Sequence, residues 1–243
     1  LRHPFIWTDE LGYSLFIWMA MFRAVLALDR GEHMRMSALV NKLPQAWRGF
    51  CETVSALVVC LFVVMIIGPA MQHSHEQMSI TTPALGIPDG LRAAALPVGA
   101  VLMLLAAVSR MARFSTMRQF VAAIGVLAVV AAVLWVSQPL LVAMGNYNLI
   151  VFFLVLLGAC VFGGIPIAFA FGAATMAYLA LATHAPLSIV VGRMDEGMSH
   201  MVLLAVPLFV MLGVVLQLSG MARTLIDFMA SLLGHVRGGL QYV

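Results

Sequence analysis

Charge is what this chain has least of. Asp, Glu, Lys and Arg make up 9% of its 243 residues, against 63% hydrophobic residues. A soluble domain carries about 25% charge. The shortage excludes an ordinary water-soluble enzyme and leaves no basic, aromatic patch for nucleic acid. It points to a protein that crosses a bilayer several times. Cysteine is scarce too: Cys51, Cys60 and Cys160, with no C-x-x-C. Two lie within apolar runs and Cys51 at the edge of one, so they read as small buried hydrophobes without a disulfide or metal role. G-x-x-x-x-G-K-[ST], G-x-S-x-G and H-E-x-x-H are all missing, which removes nucleotide hydrolysis and the common hydrolase sites. No apolar run holds a pair of carboxylates, so this portion has no carboxylate proton relay. The chain starts at Leu1 and ends at Val243 just after a Gly-Gly turn, and it reads as a piece cut at both ends. No secretory signal peptide is visible.

What is abundant is long apolar sequence. The runs Leu11–Leu28, Val54–Met71, Leu91–Ser109, Phe120–Met144 and Met201–Ser219 are each long enough to cross a hydrocarbon core of about 30 Å. Thr8 or Asp9 is placed to cap the first, with Glu10 in its first turn. Arg23 interrupts that run close enough to its end to snorkel. Three amphipathic segments lie between or after the runs. Met36, Leu39, Val40, Leu43 and Trp47 recur at helical spacing among Arg35, Lys42 and Arg48, and Pro44 kinks or ends that segment. Leu187, Val190, Val191, Met194 and Met198 form one face of a second segment, with Arg193 and Asp195 on the other. The third follows Ser219, its cap, and carries Leu225, Ile226, Met229, Leu232 and Leu233. All three suit the membrane surface. In the loop 72–90, His73, His75 and Glu76 are potential metal ligands, but three such residues in a flexible loop make no metal motif.

The stretch Asn148 to His184 is apolar and too long for one crossing: a single helix would reach ~55 Å. Gly163-Gly164-Ile165-Pro166 near its middle predicts two short helical pieces with a break at membrane depth. Such a break is either a loop between two spans or a functional opening. Charge counting orients the runs. Lys and Arg crowd 29–50 and 110–118 and are absent from 72–90 and 145–147. The first pair therefore faces the cytoplasm and the second the outside, with Arg2 and Arg92 as exceptions. The same count favours two crossings by 148–183, which puts 184–200 outside.

Several short pieces then resemble a known family. Trp7-Thr8-Asp9-Glu10, Gly31-Glu32-His33-Met34, Leu43-Pro44, Thr82-Pro83-Ala84-Leu85-Gly86-Ile87-Pro88 and Leu96-Pro97-Val98-Gly99 resemble, in order and spacing, the small Q-type subunit of tripartite ATP-independent periplasmic (TRAP) transporters. Gly164-Ile165-Pro166-Ile167-Ala168-Phe169-Ala170, Leu204-Ala205-Val206-Pro207-Leu208-Phe209, Gly213, Ser219-Gly220 and Gly234-His235-Val236-Arg237-Gly238-Gly239-Leu240 resemble the start of the large M-type subunit. The resemblance divides the chain into 1–118 (Q-type, its first helix missing), 119–145 (a fusion transmembrane helix) and 146–243 (the N-terminal part of the M-type subunit). Gln241-Tyr242 and Arg23 depart from the pattern, which expects smaller residues there.

The resemblance implies an all-α polytopic membrane protein of the bacterial inner membrane with interfacial amphipathic helices. It implies sodium-driven import of organic acids (carboxylates) delivered by a periplasmic substrate-binding protein, with membrane lipids around it. Sodium would be the coupling ion; no cofactor, enzyme activity or nucleic acid is expected. The substrate and sodium sites are expected C-terminal to Val243, so no catalytic, substrate-binding or metal residue is assigned within this chain. A non-transporting scaffold or assembly subunit is the alternative. A channel is disfavoured by the lack of acidic rings or filter motifs.

Overall fold

The computed structural model describes residues 6–31, 40, 44–183 and 185–233. These residues are helical apart from turns and one isolated antiparallel bridge, Thr81 to Pro88. The chain forms two compact units, Leu1–Gly197 and Met198–Val243.

In the first unit, α1 is Ile6–Arg30 and α2 is Gln45–Gln77. A short start, Gly90–Ala93, runs through Ala94 into Ala95–Phe114, and the two pieces together are α3. Then come α4 (Met117–Val136), α5 (Gln138–Ala143), α6 (Gly145–Phe162), α7 (Ile167–Ala182) and α8 (Ser188–Met198). Five of these, α1, α2, α3, α4 and α6, are long and apolar enough to cross a membrane. α2 packs on α3, α1 on α3, and α4 on α2, while α7 packs on α2, α5 and α6. Ile17, Val59, Ala95 and Ala107 are buried between them. The outward faces are as apolar as the core: Val121, Val129 and Val133 of α4 are exposed. Lipid replaces water as the solvent for such faces, so association rests on close fit rather than on hiding apolar surface.

Element ends differ from the expectation. α1 is already helical at Ile6, so Thr8 and Asp9 lie inside it rather than ahead of its first turn. α2 begins after Pro44 and continues to Gln77, so 72–77 is helix rather than loop. Gln72 Nε2 donates to Glu76 Oε1 (2.9 Å), an i,i+4 contact that suits polar residues on a helix emerging from the membrane. The first amphipathic segment falls mostly outside the described residues, although Val40 is buried. The run Phe120–Met144 divides at Ser137, and Pro139 stands in the first turn of α5, where its missing N–H costs nothing.

The break between α6 and α7 is a capped turn. Gly164 takes φ 82°. Its N–H donates to the Val161 carbonyl (3.1 Å), and the Ile165 N–H donates to the Cys160 carbonyl (3.1 Å). That pair of bonds is the Schellman pattern, with glycine in the left-handed position. Pro166 (ψ 134°) then opens α7, and its carbonyl accepts the Ala170 N–H (3.0 Å). Ile165 is 3% exposed, and Pro166 borders the cavity that Thr53, Arg110 and Ser115 line. The break therefore lies towards the end of the bundle that carries Arg110, rather than at mid-depth, and its backbone is satisfied from within.

Beyond the turn the chain runs back on itself. The Tyr178 ring meets those of Phe152 (5.6 Å) and Phe153 (6.0 Å). In one straight helix, residues 152 and 178 would stand about 39 Å apart. The stretch thus passes along the bundle twice, as the charge count favours. Within α6, Val151–Leu156 forms a single π turn. The two consecutive phenylalanines of this turn share one ring, that of Tyr178.

In the second unit, α9 (Met201–Leu218) continues through Pro207, and α10 is Met221–Leu233. The two are bent by 75° at Ser219-Gly220, where Gly220 has φ 73°. The Ser219 hydroxyl donates to the Leu216 carbonyl (3.2 Å), so it closes α9 instead of capping α10. Residues 234–243, with the Gly234–Leu240 motif, lie outside the described residues.

Candidate functional site

Two polar clusters mark the two ends of the first unit, and an apolar cleft lies between them. The end bearing the 78–89 loop is called the outer end here, following the charge count.

At the outer end Arg92 is 9% exposed. A buried guanidinium needs partners for all its N–H groups. Its Nε and Nη2 donate to Asp89 Oδ1 and Oδ2 (2.7 Å each), and its Nη1 and Nη2 donate to Asp195 Oδ1 (2.9 Å) and Oδ2 (3.2 Å). The planar fork thus serves two carboxylates side by side, a geometry that lysine lacks. Asp195 Oδ2 also lies 3.3 Å from His73 Nε2 of α2. The Tyr13 ring of α1 sits 5.4 Å from the Arg92 Cζ, at cation–π range. Arg92 and Asp195 together gather α1, α2, the 78–89 loop and α8. Sequence reading had Arg92 only as an exception to the charge rule and Asp195 only on a polar face. The usable signal was an arginine beside an apolar run, which must find a partner or reach water.

The same end ties two of the resemblance motifs together. The Glu10 carboxylate accepts the backbone N–H groups of Ala84 and Leu85 (2.9 Å each). Trp18 Nε1 donates to the Leu91 carbonyl (3.2 Å). His73, His75 and Glu76 do not converge: His73 faces Asp195, His75 is exposed, and Glu76 accepts from Gln72. Among the described residues no three His, Cys, Asp or Glu are placed to hold a metal.

At the inner end Arg110 Nη1 donates to the Leu28 carbonyl, capping the C-terminus of α1. The Thr53 hydroxyl donates to the Gly49 carbonyl (2.8 Å) and pairs with Ser115 Oγ (2.9 Å). Thr116 N–H donates to Gln119 Oε1 (3.3 Å) at the start of α4. One of the three clustered arginines thus spends its charge on helix capping.

The cleft has a volume of about 790 Å³ and lies between α1–α3 on one side and α6–α8 on the other. Met21, Phe62, Ala100, Phe169 and Val190 line it, with Thr175, Tyr178 and Arg193 as its members bearing polar groups. Arg193 pairs with Glu196 (2.7 Å) in the open. An organic anion needs converging donors in a desolvated pocket. This cleft offers mostly hydrocarbon.

Comparison with known proteins agrees with the geometry. Residues 1–117 match the family model of the DctQ component of tripartite ATP-independent periplasmic transporters, and residues 149–243 match that of the DctM component. A sialic acid TRAP transporter permease protein, SiaT, of Haemophilus influenzae is 26% identical over 99% of this chain and 41% of its own length. An isethionate TRAP transporter permease protein, DctMQ, of Oleidesulfovibrio alaskensis is 25% identical over 97% of this chain and 37% of its own length. A C4-dicarboxylate TRAP transporter small permease protein of Rhodobacter capsulatus is 31% identical over 40% of this chain and 44% of its own length. The chain spans about two-fifths of the length of the fused relatives. With five helices among the described residues fit to cross a membrane, it is a multi-pass protein of the bacterial inner membrane. Small-type and large-type regions follow one another in a single polypeptide, and the chain belongs to the family of TRAP transporter membrane components.

Proposed function

We propose that this chain is part of a fused permease that imports an organic acid by secondary active transport, driven by sodium and supplied by a periplasmic substrate-binding protein. The observation that carries the reading is the order of the two family matches on one chain, continuous with fused permeases over 97–99% of its length. Relatives are named for sialic acid, isethionate and C4-dicarboxylates, which are all organic anions. Within that permease the residues described here act as scaffold. The break between α6 and α7 is a capped turn, and the cleft between α1–α3 and α6–α8 is apolar. Sodium and carboxylate sites need unwound backbone and half-helix ends, which this reading places beyond Val243.

The test is uptake by the full-length permease in proteoliposomes, with its binding protein and radiolabelled sialic acid, isethionate or succinate added in turn. Uptake of one of them that needs both the binding protein and an inward sodium gradient is expected. Uptake indifferent to sodium would overturn the coupling, and none with any of the three would favour a scaffold that does not transport.

A further inference from the structure

We propose that Arg92 is the residue by which the small-type region recognises the large-type region: a double-forked charge latch that docks α8 on the outer end of the bundle. Arg92, Asp89 and His73 belong to the region matching the small component, and Asp195 to the region matching the large one. The inference rests on the family assignment and not on transport. Elsewhere the two regions meet largely through apolar side chains, and a wide cleft is left between them. Apolar contact in lipid selects poorly between partners, because lipid tails satisfy the same surfaces. A buried charge pair selects strongly, since a wrong partner leaves a charge unpaired.

The latch also fixes geometry. The bidentate contact to Asp195, made by a guanidinium that Asp89 holds through a second bidentate contact, sets the depth and the rotation of α8. With Asp195 held, Val191 is fully buried one turn earlier on the same helix, and Val190 and Met194 roof the cleft. Arg92 faces two carboxylates, Asp89 and Asp195, and Asp195 also meets His73.

The experiment uses the full-length permease with its native cysteines replaced and Val191→Cys as reporter, in permeabilised membranes so that orientation does not enter. The rate of labelling by a maleimide is read. Slow labelling is expected with Arg92 in place. Arg92→Met should raise the rate tenfold or more. Arg92→Lys should also raise it, because charge without the fork does not hold both carboxylates. Combining Arg92→Asp with Asp195→Arg should restore slow labelling, since the relocated arginine again faces two carboxylates. Should the Arg92→Met chain fail to accumulate, Asp195→Asn carries the same comparison. A second reporter, Ala174→Cys in the buried face of α7, should stay slow throughout. Equal Val191→Cys rates in all variants, no rescue by the exchanged pair, or parallel labelling of Ala174→Cys would each overturn the proposal.

Discussion

Gly172 offers the sharpest test of how α7 is held. A Cβ built on it would run into two atoms of the Phe62 ring, with a third at 3.1 Å. The ring has little room to retreat: Phe62 is 7% exposed, and it meets Phe169 edge-on at 6.0 Å. Two effects oppose one another in Gly172→Ala. Replacing a helical glycine is worth up to about 1 kcal/mol. Overpacking a fitted contact costs about 1–3 kcal/mol. The balance is a loss of about 0–2 kcal/mol. Gly125 of α4 supplies the control, because nothing lies within 4 Å of its Cβ. Gly125→Ala keeps the propensity gain alone, so the two alanine variants should differ by about 1–3 kcal/mol. On a soluble-domain scale that is a few degrees in Tm. Thermal unfolding of the full-length permease in detergent, followed by size-exclusion of the surviving fraction, reads this difference. Phe62→Leu should rescue Gly172→Ala in part, since the two sites share one contact. Gly172→Ala melting at or above Gly125→Ala would refute the close approach of α7 and α2.

Three further outcomes are expected. Gly164→Ala forces a left-handed residue at a cost of about 1–2 kcal/mol, and it meets a Val40 methyl 2.8 Å away; adding Val40→Ala should recover the steric part of the lost Tm and leave the backbone part. Glu10→Ala removes the acceptor of the Ala84 and Leu85 N–H groups, so amide exchange at those two positions should quicken by tenfold or more while α3 amides hold; unchanged exchange would mean the clamp is idle. In a cysteine-free background, Ser79→Cys and Glu196→Cys should label from outside intact cells and Thr116→Cys should not, all three positions being exposed; labelling at 116 without 79 would invert the orientation.

Much of the fold was legible because lipid imposes a length. A helix must stay apolar for about 20 residues to cross, and the runs show it directly. Ends were less legible. Once α2 is established, Gln72 to Gln77 continue it, since polar residues extend a helix as readily as they stop one. Gly163 to Pro166 announced a break, but whether its carbonyls are free or capped depends on hydrogen bonds that spacing does not specify. The outer cluster was harder still. Periodicity assigns Asp195 to a polar face without saying what that face meets. Arg92 lies 103 positions away in sequence. Glu10 and the 82–88 motif were each visible, yet only folding puts the carboxylate on the Ala84 and Leu85 amides.

The π turn at Val151–Leu156 bears on how the hairpin tolerates change. A π turn accommodates one residue more than an α turn and closes it with i→i+5 bonds. α6 therefore carries a phase offset: side chains before residue 151 point about 100° away from where an unbroken α-helix would aim them. Losing one residue from the segment would let the helix relax to regular geometry and leave the far half of the hairpin undisturbed, but it would swing the buried Asn148 and the start of α6 out of their contacts. An inserted residue in a regular helix would ordinarily scramble every contact beyond it. Here the excess is absorbed in one turn, with Phe152 and Phe153 both placed on Tyr178. The segment works as a length adjuster between two faces whose registers need not agree.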